Sequence, residues 1–178
     1  MMRVVIETER LLLRNLVTTD LDDLCNVLCD HEGMQFYPAI FRRDQVEAWI
    51  EWNHRNYSDY GFGLWAVILK KGQVFLGDCG ITMHTIEGEE LPELGYHIRK
   101  DYSRRGFATE AAAACIRYAF QNLDLHTLYA YTKKDNLPSI RVAEKNSMTF
   151  VKNFRKTVMD SEVEEVLYAL KKGSQKEP

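Results

Sequence analysis

Apolar positions along this chain recur at two spacings, every second residue and every third or fourth, and the spacing changes repeatedly from one end to the other. Thr8 to Leu13 reads as a first strand. Thr18 or Thr19 is placed to cap a helix carrying Leu21, Leu24, Val27 and Leu28 on one face, and Asp44 to cap a second with Val46, Trp49 and Ile50 turned inward. Leu64 to Leu69 and Val74 to Thr85 read as paired strands around a Lys71-Gly72 turn, and Glu93 to Ile98 as another strand. Ala111 to Gln121 holds five alanines and no Gly or Pro, with Ala112, Cys115, Ile116, Ala119 and Phe120 at helical spacing. A buried helix therefore starts near Phe107. Leu128 to Thr132 is a strand, Asp135-Asn136-Leu137-Pro138-Ser139 opens another helix, and Thr149 to Phe154 with Val163 to Leu170 forms a closing strand pair. Strands outnumber helices and most are joined by hairpins, which predicts an α/β (α+β) fold with a mixed, mainly antiparallel sheet and about four helices against it. The helix between the Glu93 and Leu128 strands crosses over, so those two strands should be parallel.

A chain of 178 residues is long enough for one sizeable core and short for two, so residues 1–172 are expected to form one domain, with 173–178 as a disordered tail. Hydrophobic content of 46% with 28% charged residues fits a soluble globular protein. No apolar run approaches the length of about 20 residues that a membrane helix needs, and the N-terminus lacks the apolar core and cleavage site of a signal peptide. The four cysteines, Cys25, Cys29, Cys79 and Cys115, form no Cys-x-x-Cys pair, so a reducing cytoplasm is the expected compartment. Cys25 and Cys29 could face the same way on a helix, but without a nearby His or Cys pair they read as core, and no metal site is expected.

A net charge of −3 and a pI near 6.0 argue against a nucleic-acid footprint. The distribution says more. Arg99, Lys100, Arg104 and Arg105 cluster just after Glu87, Glu89, Glu90 and Glu93, so one end of a site would suit an anion and the other a cationic amine, unless these are two solvated loops of opposite sign. The cationic cluster runs into Ser103-Arg104-Arg105-Gly106-Phe107-Ala108-Thr109-Glu110, directly ahead of the predicted alanine-rich helix. The first amides of a helix lack partners within it and its dipole is positive at that end, so this turn reads as a phosphate cradle. Gly106 allows close backbone approach, and Ala108 keeps the next position small.

The order strand, basic glycine turn, helix, strand, Asn-x-x-Ser, helix resembles the GNAT superfamily of acetyl-CoA-dependent N-acetyltransferases, and within it the ribosomal-protein-alanine acetyltransferase branch. The family's pyrophosphate motif, Gln/Arg-x-x-Gly-x-Gly/Ala, falls on Ser103 to Ala108, and the branch's Ala-Thr-Glu-Ala on Ala108 to Ala111. A second motif falls on Asn136-x-x-Ser139 and continues to Lys145, and Thr8-Glu-Arg-Leu-Leu-Leu-Arg14 looks like the branch's opening strand. Two positions depart from the pattern: Ser103 replaces the commoner Gln or Arg, and Ser147 stands where the branch has Gly after its Glu-Lys helix. The resemblance implies a GNAT fold whose parallel strand pair splays apart, with the pantetheine arm of acetyl-CoA in the gap. It implies cofactor contacts from His97, Ile98, Arg99, Arg104, Arg105, Gly106, Phe107, Ala108, Thr109, Asn136 and Ser139.

Acetyl transfer from a thioester to an amine needs a neutral amine, a polarised carbonyl and a stabilised or protonated thiolate. Glu93, at the start of the strand leading into the cradle, is the first candidate for the base, and relatives in the superfamily carry a glutamate at a similar place. His84 and His97 are rivals, since histidine titrates in the right range without a shift. Ser139 could contact the thiol or cap its helix, and Asn136 could hold the cofactor's amide or cap the same helix. No tyrosine acid is evident, so the proton donor falls to Ser139 or water. In relatives the loop between the first two helices borders the acceptor, which makes Met34, Phe36 and Tyr37, in the stretch Met34 to Pro38, candidates either for the pocket or for the core.

These readings imply acetyl transfer by direct attack in a ternary complex to a primary amine. A protein N-terminal α-amino group is the favoured acceptor, and the chain would work as monomer or homodimer. The rivals are an enzyme for small amines such as an aminoglycoside or polyamine, and a non-catalytic acyl-CoA-binding module. A nucleotide-phosphate site of another class is disfavoured because Gly-x-x-x-x-Gly-Lys-Ser/Thr is absent.

Overall fold

A computed structural model describes residues 3–37, 40–158 and 161–174. Pro38 and most of the predicted tail, 175–178, lie outside the described residues. The strands are β1 (Val4–Glu7), β2 (Leu11–Asn15), β3 (Leu64–Leu69), β4 (Val74–Ile86), β5 (Glu89–Ile98), β6 (Thr127–Lys133), β7 (Thr149–Val158) and β8 (Ser161–Lys171). The α-helices are α1 (Leu21–Leu28), α2 (Arg43–Asp59), α3 (Phe107–Asn122) and α4 (Leu137–Lys145). The strands form one eight-stranded sheet in the order β1-β2-β3-β4-β5-β6-β8-β7. Every neighbouring pair is antiparallel except β5 and β6, which α3 separates in sequence and which run parallel.

Alternation along the central strands sends side chains to two cores. On one face Trp65, Cys79, Ile81, Leu94, Leu128 and Leu170 meet Ala111, Ala112, Cys115, Ile116 and Ala119 of α3, with Ala143 of α4 joining them. The alanines let α3 lie close against the sheet. On the other face Ala66, Ile68 and Phe75 meet Leu24, Val27 and Leu28 of α1 and Val46 and Ile50 of α2. Cys25 and Cys29 pack at the edge of this second core, where burial pushes the Cys29 thiol up to about 11.

Three local readings are corrected. Thr8–Leu13 is not one strand: Thr8 and Arg10 lie in the corner between β1 and β2. Glu110 of α3 holds that corner, because its carboxylate accepts from Thr8 Oγ1 at 2.6 Å, Arg10 N at 3.0 Å and Arg10 Nε at 2.6 Å. Neither Thr18 nor Thr19 caps α1. Both lie in a 3₁₀ turn, and Asp20 occupies the cap position, its carboxylate accepting from Val17 N at 2.9 Å and from both Arg14 Nη atoms at 2.7 Å. Asp44 sits inside the first turn of α2, where it pairs with Arg42, and Gln45 Oε1 accepts from Arg42 N at 2.9 Å.

Ser147 closes α4 with φ +63°, the left-handed conformation for which the branch's glycine is suited.

Candidate active site

The sheet opens at its centre. Glu93 with Tyr129 is the one register pair between β5 and β6, although β5 continues to Ile98 and β6 to Lys133. Beyond that pair the two strands diverge and their facing backbone edges no longer form a ladder. The alternation of β5 puts Leu94, Tyr96 and Ile98 on the α3 face and Glu93, Gly95 and His97 on the α1/α2 face. Two cavities meet at the gap and share Phe36, Tyr37, Tyr96, His97, Asn136 and Ser139 as lining residues.

The larger cavity, about 500 Å³, runs along the gap to the start of α3. Gly106 is the N-cap there with φ +82°, and Arg104 two residues earlier is also left-handed at φ +60°. A Cβ built on Gly106 would touch only the Arg10 guanidinium, at 3.4 Å, so the glycine answers a backbone demand and not a crowded neighbour. No side chain caps α3, which leaves its first amides free for an anion. Arg104, Gly106, Phe107, Ala108 and Thr109 line this cavity, as do Lys100 of the same cationic cluster and two residues outside it, Arg141 and Lys145. Arg141 and Lys145 lie on the exposed face of α4, within the stretch that continues the Asn136-x-x-Ser139 motif. The four cations outnumber the one lining carboxylate, Glu32, which lies 3.8 Å from Lys100.

Arg99 and Arg105 are turned elsewhere. Both guanidinium groups lie on the Tyr102 ring, at 5.2 and 5.1 Å from its centroid, and Arg99 also pairs with Asp101 at 2.8 Å. The Arg105 carbonyl accepts from Arg10 Nη1 at 3.1 Å. These two residues brace the turn while Arg104 faces the cavity. Ile98 lines the larger cavity.

At the mouth of α4 the competing roles of Asn136 resolve into a cap. Its Oδ1 accepts from Ser139 N at 3.3 Å and its Nδ2 donates to Thr132 Oγ1 at 2.8 Å. The Ser139 hydroxyl is thereby free of capping and sits 3.0 Å from the Tyr96 hydroxyl, which donates to the Ser139 carbonyl at 2.8 Å. Burial pushes the Tyr96 pKa well above its ordinary value, so the phenol keeps its proton. Tyr96 was missed because a tyrosine on an alternating strand reads as packing. Its signal was the position, three residues past Glu93 on the cofactor face.

The smaller cavity, about 150 Å³, lies toward α2 and is lined by Glu93, His84, Trp49, Tyr131, Lys133 and Glu165 together with the shared residues. His84 Nε2 is 3.0 Å from Glu93 Oε2 and 3.0 Å from Thr82 Oγ1, so the base candidate and one rival form a single pair. The other rival is engaged in a chain of its own. Asp78, with 0% exposure, accepts from Trp49 Nε1 at 3.0 Å and from His97 Nδ1 at 2.6 Å, and His97 Nε2 meets the Tyr37 hydroxyl at 2.6 Å. Burial tends to lower the His97 pKa, but the charge of Asp78 and its hydrogen bond outweigh that and leave it raised. Gly77 makes this strand approach possible, since a Cβ there would come within 1.9 Å of the His97 carbonyl oxygen.

Of the loop candidates, Phe36 and Tyr37 line both cavities, whereas Met34 is 2% exposed in the α1/α2 core and borders only the larger one. Tyr37 as a residue is 39% exposed, yet its hydroxyl points inward, where burial and the charges of Glu93 and Asp78 push its pKa up strongly. Among the described residues no helix is long and apolar enough to cross a membrane.

The sequence profile of the acetyltransferase (GNAT) domain matches residues 10–149. An uncharacterized protein of Bacillus subtilis strain 168, YkkB, is 36% identical over 150 residues, which cover 84% of this chain and 87% of that protein. The crystal structure of a GNAT-family acetyltransferase from Bacillus anthracis superposes with a TM-score of 0.78 at 28% identity, covering 96% of this chain and 98% of the other. RimL, a ribosomal L7/L12 α-N-protein acetyltransferase solved in complex with coenzyme A, has a TM-score of 0.78 at 15% identity over 95% of this chain and 98% of its own, a likeness of fold.

Proposed function

Because the chain belongs to the GNAT acetyltransferase family, we propose that it transfers an acetyl group from acetyl-CoA to a primary amine by direct attack with both substrates bound, the favoured acceptor being a protein N-terminal α-amino group. The observation that carries this reading is the gap between β5 and β6, which joins a cation-lined cavity on one side to a carboxylate-lined cavity on the other. Acetyl-CoA fits the first: its phosphates suit the uncapped start of α3 with Arg104, Lys100, Arg141 and Lys145, and its pantetheine arm suits the unpaired strand edges. The acceptor then approaches from the second, so that the thioester and the amine meet inside the sheet.

Glu93, with His84 beside it, takes the ammonium proton directly or through water. On the opposite face the Ser139 hydroxyl donates toward the departing sulfur, and Tyr96 positions it by directing its own proton onto the Ser139 carbonyl. An α-amino group, with an ordinary pKa near 7.7–8.0, asks less of this base than a lysine near 10.4. RimL, whose fold this chain shares, acts on such a group.

The test is free-thiol release from acetyl-CoA against a panel of peptides with free N-termini and small amines. Acetylated peptide is the expected product. Turnover of small amines alone would move the acceptor to that class, and tight coenzyme A binding without transfer to any amine would refute catalysis.

A further inference from the structure

Glu165 is not explained by the reaction so far. It lies on β8 opposite Lys133 of β6, is 8% exposed, and lines the smaller cavity. Its Oε2 is sealed from solvent and has no hydrogen-bond partner among the described residues. Buried carboxylate oxygens are ordinarily paired, and a carboxylate left unpaired on a residue that lines a cavity calls for a donor from a ligand. The two nearest cations do not supply it. Lys156 Nζ donates to the Tyr131 hydroxyl at 2.8 Å and rests 4.6 Å over that ring, and Lys133, opposite Glu165 in the strand register, makes no ion pair with it among the described residues. Burial raises the Glu165 pKa, the charges of Lys156 and Lys133 oppose this, and the negative charge of Glu93 adds to it, so the two carboxylates feel one another across the same cavity.

We propose that Glu165 selects acceptors carrying a second cationic nitrogen besides the amine that is acetylated. The inference rests on the acceptor side assigned above: Glu93 serves the reacting nitrogen, and Glu165 holds a nitrogen that keeps its proton throughout. Its ammonium donates to the Glu165 carboxylate, a charge-assisted bond. Tyr37 and Trp49 also line the cavity, and aromatic rings favour a cation over a neutral alkyl chain of equal length. The same chemistry can come from a small diamine or from a basic side chain at the start of a peptide.

Initial rates of thiol release with wild type and Glu165→Gln, using 1,5-diaminopentane against 1-aminopentane, and Ala-Lys against Ala-norleucine peptides, test this and separate the two sources. The wild type is expected to favour the dication in one arm by roughly 10-fold or more in kcat/KM, the lower end for a hydrogen bond between charged groups. In Glu165→Gln that ratio should fall to about one, while the coenzyme A-induced rise in melting temperature shows that the variant is folded. A wild-type ratio near one in both arms overturns the proposal even if the variant does not fold. A ratio unchanged in Glu165→Gln overturns it too. Transfer to monoamines with no preference sinks this inference alone, whereas no transfer to any amine sinks the acetyltransferase reading with it.

Discussion

Asp78→Asn separates the hydrogen-bonding role of the buried carboxylate from its charge. Asp78 accepts from both Trp49 and His97, and asparagine can accept with only one of its two ends. With Oδ1 serving Trp49, Nδ2 is left facing His97 Nδ1, so the imidazole must accept there and carry its proton on Nε2. A doubly protonated His97 would set N–H against N–H. In the wild type Asp78 holds the His97 pKa above its ordinary value, and without that charge burial lowers it. A raised folded-state pKa stabilises the fold fully below the unfolded histidine value of about 6.5, and the contribution fades as pH rises through the folded value. Asp78→Asn should therefore cost most on the acid side. Near pH ~8.5 the exchange of one hydrogen-bond pattern for another costs about 1 kcal/mol. Near pH ~5.5 a broken buried ion pair brings the loss to about 3 kcal/mol. At roughly 2–4 °C per kcal/mol for a chain of this size, the melting temperature falls by about 3 °C at the higher pH and about 9 °C at the lower. Calorimetric melts at both values, with an NMR titration of His97 in each protein, measure this directly. An equal loss at both pH values, or a larger one at pH ~8.5, would refute the charge pairing of His97 with Asp78.

Glu93→Gln should keep coenzyme A affinity and lower kcat by roughly 100-fold, with the deficit shrinking at high pH where the amine is already neutral; a pH–rate profile parallel to wild type would move the base to His84. Arg104→Ala combined with Arg141→Ala should weaken coenzyme A far more than a dephosphorylated pantetheine thioester, whereas Arg105→Ala, whose side chain lies on Tyr102, should affect both little; calorimetric titration distinguishes them, and an equal loss for both ligands would assign Arg104 and Arg141 to structure. Ser147→Gly should raise stability by about 0.5–1 kcal/mol, because relief of the left-handed φ of +63° outweighs the added freedom of the unfolded chain; chemical denaturation with an unchanged m-value checks it.

The start of α3 was legible because local signals agree there: a glycine able to go left-handed, small residues after it, and an alanine-rich run with no competing strand pattern. The parallel relation of β5 and β6 followed from the crossover alone. What stayed hidden depends on partners far apart in sequence. Asp78 sits mid-strand, where its match with His97 is a cross-strand register and its bond to Trp49 spans 29 residues. Glu165 looked like one carboxylate among several in a polar stretch until β8 was set beside β6. The corner at Thr8 to Arg10 reads as strand because its residues favour strand locally, and the constraint that bends it is Glu110. Arg105 has the same local credentials as Arg104, and only the left-handed φ of Arg104 and the Tyr102 ring send the two side chains in different directions.

The tie between Glu110 and the β1–β2 corner spans 100 to 102 residues of chain, and so it fixes an order of assembly. α3 can form early from local contacts, but its first turn is not anchored until the N-terminal corner docks across most of the sheet, a closure of high sequence separation and correspondingly slow. A refolding chain would regain helical signal before it regains the ability to respond to coenzyme A. During synthesis the opening corner must wait for the helix that secures it, so ligand binding reports on a closure that the N-terminal segment cannot make alone.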